Sequence, residues 1–121
     1  GKFICLNRLR FADSDPIVPV ETYLPYDKCA FVMGHDFSKE SLYNVLATSE
    51  ETRICRVNRV LEAVAANSQD ANYLGVSRGR PIHFFTTVGY NQNDEPIEYS
   101  LARYRGDRNR FEVTLLIDTS V

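Results

Sequence analysis

Four residues of one short stretch, Glu98, Ser100, Ala102 and Tyr104, recur at every second position. Side chains on a strand alternate with period two, so these four share one face while Ile97, Tyr99 and Leu101 share the other. The second set reads as core. The first offers a carboxylate, a hydroxyl, a methyl and a phenol, which fits solvent or a polar pocket better than a dry core. Exposed faces are common in antiparallel sheets, so the pattern by itself favours solvent. Near the start of the chain, Arg8 and Arg10 share a strand face in the same way. Two guanidiniums so placed repel unless something negative lies between them, either the Glu21 carboxylate or an anionic ligand. Ser41 and Tyr43 fall early in an expected helix, where unpaired backbone N–H groups and the dipole favour an anion. The plainer alternative is that Ser41 caps and Tyr43 packs.

Other chemistries are poorly supplied. His35 and His83, the only histidines, sit in neither an HExxH nor a Gly-x-Ser-x-Gly context. Cys5, Cys29 and Cys55 lie in or beside apolar stretches, at spacings that suit neither a disulfide framework nor a CxxC metal site. No cluster of His, Cys and carboxylate supplies the three or four ligands a metal needs. Gly75 and Gly79 make neither a P-loop nor a dinucleotide fingerprint. No catalytic residue, metal or cofactor is expected.

The elements that position these residues follow from periodicity and turn signals. Residues 3–11 and 17–24 alternate around the turn signal Ala12-Asp13-Ser14-Asp15-Pro16 and predict a β-hairpin. A loop centred on Ser14 and Asp15 pairs Arg8 with Glu21 and Arg10 with Pro19. Residues 25–36 read as a loop or short helical turn. Ser38 then caps a helix carrying Leu42, Val45 and Leu46 inward and ending near residues 48–50. Residues 53–66 predict a long strand, with a helix fitting the second half almost as well. Ser68 caps a second short helix that buries Ala71 and Leu74 and stops at Gly75. Residues 82–90, 96–104 and 111–117 predict three further strands, the first two joined by the polar turn 91–95. The fold class is α+β, a mostly antiparallel sheet flanked by short helices.

Composition sets the frame. The 121 residues, 44% hydrophobic and 25% charged, make one folded domain. The net charge of −2 makes the chain by itself a poor nucleic-acid binder. No stretch reads as a signal peptide or bilayer span, so the expected location is cytoplasmic with no membrane partner. Four arginines, Arg103, Arg105, Arg108 and Arg110, crowd toward the end.

The ordered set of motifs resembles one known family. Asn7-Arg8-Leu9-Arg10, then Pro16 and Val20-Glu21-Thr22-Tyr23-Leu24-Pro25, are similar to the opening of the UTRA domain. This is the effector-binding domain of GntR-type transcription regulators of the HutC subfamily. Further matches are Glu40-Ser41-Leu42-Tyr43, Ala71, Leu74-Gly75-Val76, Gly79, Pro81, Pro96-Ile97-Glu98 and Tyr104-Arg105-Gly106-Asp107-Arg108 before Phe111. The turn departs from the family in carrying Asp94 where many members have Gly. The resemblance covers nearly the whole chain, residues 1–121, as one effector-binding and dimerisation domain. It implies a chorismate-lyase-like fold, a homodimer, and DNA contact only through an N-terminal winged helix-turn-helix domain absent from this chain, which would be a piece of a longer repressor. It implies effector contacts at Arg8, Arg10, Ser41, Tyr43, Glu98 and Tyr104, with Glu21 a weaker candidate, and it moves the Glu98 face from solvent to pocket. The arginines and Ser41 would hold anionic groups of a small metabolite, a sugar phosphate being favoured; Glu98 and Tyr104 would hold hydroxyls or an amide. The expectation is an allosteric sensor. A lyase on the same fold and a dimerisation module with a vestigial pocket are the alternatives.

Overall fold

The computed structural model describes residues 1–12 and 15–118, with side chains described outside residues 10–17. Five strands, β1 (Phe3–Ala12), β2 (Asp15–Pro25), β3 (Arg56–Ala65), β4 (Pro81–Tyr90) and β5 (Pro96–Arg105), form one sheet in the order β1-β2-β5-β4-β3. Every neighbouring pair is antiparallel. β1 and β3 are therefore the edges, and β5 lies at the centre.

The register assembles one continuous row. Leu6 pairs with Thr22, Thr22 with Ser100, Ser100 with Thr87, and Thr87 with Arg59. Directly paired residues on antiparallel strands point to the same side, so this row and its even-spaced neighbours define one face. One end of that face is covered by α1 (Tyr26–Cys29), a 3-10 turn (Ala30–Gly34) and α2 (Leu42–Leu46). There Ile4, Leu24, Cys29, Val32, Leu42, Val45, Leu46 and Ile97 form the larger core. On the opposite face α3 (Ser68–Leu74) buries Leu74 with Ala66 and Ile82.

Several local expectations shift. The hairpin pairs Arg8 with Val20 and Asn7 with Glu21, one residue away from the expected Arg8–Glu21 pairing. An irregularity between Arg10 and Ala12 causes it: pairing is Ala12↔Asp15 beyond the irregularity and Arg10↔Val18 before it. A single extra residue on one strand moves every later side chain of its partner to the other face. The first helix starts at Leu42, capped by Ser41, because Ser38 donates both its N–H and its hydroxyl to Asp36 Oδ1 (3.0 and 2.6 Å) and closes a turn instead. Asn67, not Ser68, caps α3 in a reciprocal box with Asp70, and Gly75 ends that helix at φ +67°. The strand expected at 111–117 is absent, since residues 109–118 take no regular secondary structure and pair with neither sheet edge. Phe111 is nonetheless fixed, edge-on to His83, Phe85 and Tyr104.

β5 also reverses one expectation: Glu98 and Ser100 are buried and Tyr99, assigned to the core, is 44% exposed. Ile97 is buried as well, because a register shift between Gly89 and Tyr90 lets consecutive residues both turn inward.

The far face is held by charge. Arg103 of β5 donates from Nε and Nη2 to the two carboxylate oxygens of Asp70 (2.8 and 2.9 Å), and its guanidinium also lies over the Phe84 ring. Burial alone would raise the Asp70 pKa. Hydrogen bonds from Arg103 and the Asn67 backbone, with the Arg103 charge, outweigh it and hold the carboxyl below its ordinary range. A folded-state pKa that is depressed stabilises the fold above the ordinary carboxylate pKa, and the gain is lost as pH falls through the folded value. Arg103→Met is expected to cost about 3 kcal/mol at pH 7, because it strands a buried carboxylate. Urea denaturation should show that penalty shrinking as pH falls through the carboxylate range, where Asp70 takes up a proton first in Arg103→Met, whose carboxyl burial pushes up, and only later in the wild type.

Candidate functional site

The polar row Thr22–Ser100–Thr87 lies beside the apolar core on the α2 face, and there the sheet leaves a cavity of about 440 Å3. Its volume falls within the usual range for small-molecule sites. Arg8, Ser41, Tyr43, Glu98 and Tyr104 all line it.

Glu98 is the centre of the arrangement. Only 5% exposed, it accepts a hydrogen bond from the Tyr43 hydroxyl at Oε1 (2.5 Å) and from the Ser100 hydroxyl at Oε2 (2.7 Å). Ser100 has one proton and gives it to Glu98, so Thr22 donates to Ser100 Oγ (2.8 Å). Thr22 in turn accepts from Arg8 Nη2 (2.9 Å). The result is a directed chain from a guanidinium through two buried hydroxyls to a buried carboxylate. Each donor satisfies one lone pair that burial would otherwise leave unmatched, at a cost of about 1–3 kcal/mol apiece.

Two local features permit this. Gly89 stands opposite Glu98 in the register, and a Cβ there would lie 2.8 Å from Glu98 Oε1 and 3.1 Å from Ile54 Cδ1. The missing side chain makes room for the carboxylate. Tyr43 is brought in by α2, and burial, then the Glu98 carboxylate, raise its pKa while Arg59 and Arg8 pull it down; it stays a phenol and a donor.

The remaining expected residues divide. Ser41 lines the cavity but its hydroxyl accepts from the Asn44 N–H (3.4 Å), so it is the N-cap of a five-residue helix. Tyr104 packs edge-on against Phe85 and Phe111 and builds the aromatic end of the cavity. Glu21 is not brought to the cluster. The one-residue register difference turns it to the opposite face, where it borders a second cavity of about 660 Å3 and pushes the Tyr23 pKa up to about 12. Arg10 pairs through its backbone with Val18, and its side chain lies outside the described residues.

Sequence reasoning missed Arg59, Thr87, Thr22, Phe85 and Phe111. Thr22 was within reach, since it shares a face with Arg8 once the hairpin register is right. Arg59 and Thr87 carry no local signal, because only the pairing of β3 with β4 brings them to this face. Neither histidine lines the cavity. Among the described residues no group of His, Cys, Asp and Glu could hold a metal ion, and no helix is long and apolar enough to cross a membrane.

The chain is similar to several transcription regulators. It is 28% identical over 106 residues to the HTH-type transcriptional repressor NagR of Bacillus subtilis (strain 168), covering 88% of this chain and 43% of that protein. It is 25% identical over 119 residues to a probable fructoselysine utilization operon transcriptional repressor of Escherichia coli (strain K12), covering 93% and 45%. The chain thus spans less than half the length of the curated relatives it matches. Among solved structures, a GntR-family transcriptional regulator from Enterococcus faecalis V583 superposes with a TM-score of 0.80 at 30% identity, over 93% of this chain and 81% of that one. PhnF from Mycobacterium smegmatis shares the fold, with a TM-score of 0.83 at 22% identity, over 96% and 51%. The UTRA domain family matches residues 1–110. With nine-tenths of its length so matched, and with GntR-family regulators as its relatives, the chain belongs to the UTRA domain family.

Proposed function

We propose that the chain is the effector-sensing domain of a transcription regulator. A small anionic metabolite, a sugar phosphate being favoured, enters the cavity between the sheet and α2. Its binding changes how a winged-helix domain outside these 121 residues holds DNA. The observation that carries this reading is the directed chain Arg8–Thr22–Ser100–Glu98–Tyr43 along one cavity wall. A guanidinium at one end takes an anion, and a carboxylate with a phenol further along takes hydroxyls. The relative named for fructoselysine utilization fits an effector built on a sugar. Coupling of about 1–3 kcal/mol between cavity and DNA-binding head is enough for a useful switch.

The domain also acts as a homodimer on this reading. Val113, Leu115, Leu116 and Ile117 are each more than three-quarters exposed, and on the edge strand β3 Val57, Val60 and Leu61 are exposed too. A contiguous apolar tail and an unpaired strand edge are covered economically by a second copy.

Two measurements test these statements. Thermal unfolding with glucose 6-phosphate or sorbitol 6-phosphate should raise the wild-type Tm, since ligand at 100-fold its Kd adds about 2.7 kcal/mol. The rise should vanish in Arg8→Ala and shrink in Glu98→Gln; equal rises in all three proteins would remove these residues from the effector site. Sedimentation equilibrium should give a dimer for the wild type. Leu116→Asp with Ile117→Asp should shift it to monomer, and an unchanged mass would exclude the tail from the interface.

A further inference from the structure

Arg59 stands at the β3 end of the polar row. Its Nε donates to Thr87 Oγ1 (3.0 Å), and among the described residues neither a carboxylate nor any other acceptor pairs with its terminal nitrogens. It lines the same cavity as Arg8. Arg8 leans from one edge strand onto Thr22 of β2, and Arg59 leans from the other edge strand onto Thr87 of β4. Thr22 and Thr87 both pair with Ser100 of β5. Two strand spacings of about 4.8 Å therefore set the two threonines roughly 10 Å apart, with one guanidinium on each. Between them, on β5, sits the Glu98 carboxylate, held by Ser100 and Tyr43. The Tyr43 phenol feels both cations, each of which lowers its pKa against the effects of burial and Glu98.

A single anion shared by the two guanidiniums would lie over that carboxylate, and like charges at such range repel. Two anions, one at each guanidinium, with hydroxyls facing Glu98 and Tyr43 between them, avoid the repulsion and use every group. We propose that Arg59 is a second anion anchor, so that the ligand is an extended polyol with a negatively charged group at each end. This rests on the cavity being the effector site.

Isothermal titration calorimetry with two matched six-carbon probes separates the possibilities. Sorbitol 6-phosphate and 6-phosphogluconate share an open polyol chain and a phosphate, and differ in that the second ends in a carboxylate. The wild type is expected to bind 6-phosphogluconate at least tenfold more tightly. Arg59→Met, which keeps the side-chain stem, should weaken 6-phosphogluconate far more than sorbitol 6-phosphate and so bring the two probes within about twofold of each other. Arg59→Lys should restore part of the margin. Equal wild-type affinities, or a margin that survives Arg59→Met, overturn the proposal while leaving the sensor reading intact. So does inorganic phosphate binding that weakens equally in Arg8→Met and Arg59→Met, the signature of one shared anion. Binding of none of these probes would sink the anion-sensor reading and this inference with it. Unaltered melting of unliganded Arg59→Met, whose side chain is exposed, confirms that affinity and not folding is being read.

Discussion

A carboxylate on the covered face of a sheet must find compensation, and the compensation of Glu98 organises the whole cavity. Glu98 is nearly as inaccessible as the leucines beside it, yet among the described residues no cation pairs with it directly. Its charge is met by two hydroxyl donors and, two hydrogen bonds further on, by Arg8. Removing a partner from such a buried network costs more than a single hydrogen bond is worth, because the group left behind stays desolvated. Elements far apart in sequence are tied together by this requirement: α2 through Tyr43, β5 through Ser100, β2 through Thr22 and β1 through Arg8. Gly89 of β4 contributes by absence, since any side chain there would occupy the space of Glu98 Oε1.

The two faces of the sheet solve the problem of buried charge differently. On the α3 face, Asp70 meets Arg103 in a bidentate pair that leaves little capacity for anything else. Such a pair fixes α3 against β5 and holds the sheet's far side still. On the α2 face two hydroxyls stand between the Glu98 carboxylate and the Arg8 guanidinium. A direct salt bridge between Arg8 and Glu98 would have closed the cavity's chemistry on itself.

How far the sequence alone could reach depended on whether a feature is local. Strand alternation placed Glu98, Ser100, Ala102 and Tyr104 on one face, and that holds. Alternation could not say which face is covered, and the assignment of Tyr99 to the core was wrong because coverage depends on where α2 and the chain after β5 come to lie. The hairpin register slipped by one at an irregularity near Ala12, which sent Glu21 to the other side of the sheet. The cap of α2 went to Ser41 because Asp36 claims both donors of Ser38, a competition between two local turns that residue preferences rank equally. Arg59 and Thr87 were illegible for a different reason. Their membership of the site exists only through the pairing of β3 to β4 and β4 to β5, long-range contacts that leave no mark on either segment. Tyr43 stood out for its place early in the helix and the resemblance to the UTRA domain assigned it to the effector, but no periodicity pairs it with Glu98.

The same geometry bears on how occupancy of the cavity could be felt elsewhere. Phe111 is both a wall of the cavity and the first residue of the exposed apolar tail, and three rings pack against it: His83, Phe85 and Tyr104. Ring contacts of this kind are worth about 0.5–1.5 kcal/mol each beyond area burial. That is the size of the coupling that a regulatory switch needs. On the proposed sensor reading, a ligand that reached the aromatic end would press on Phe111 itself, at the root of the tail. A ligand held by the hydroxyl network would reach Phe111 through the Tyr104 and Phe85 rings. The strength of the response should therefore follow how deeply a ligand fills the aromatic end, and not how tightly its charge is held at Arg8.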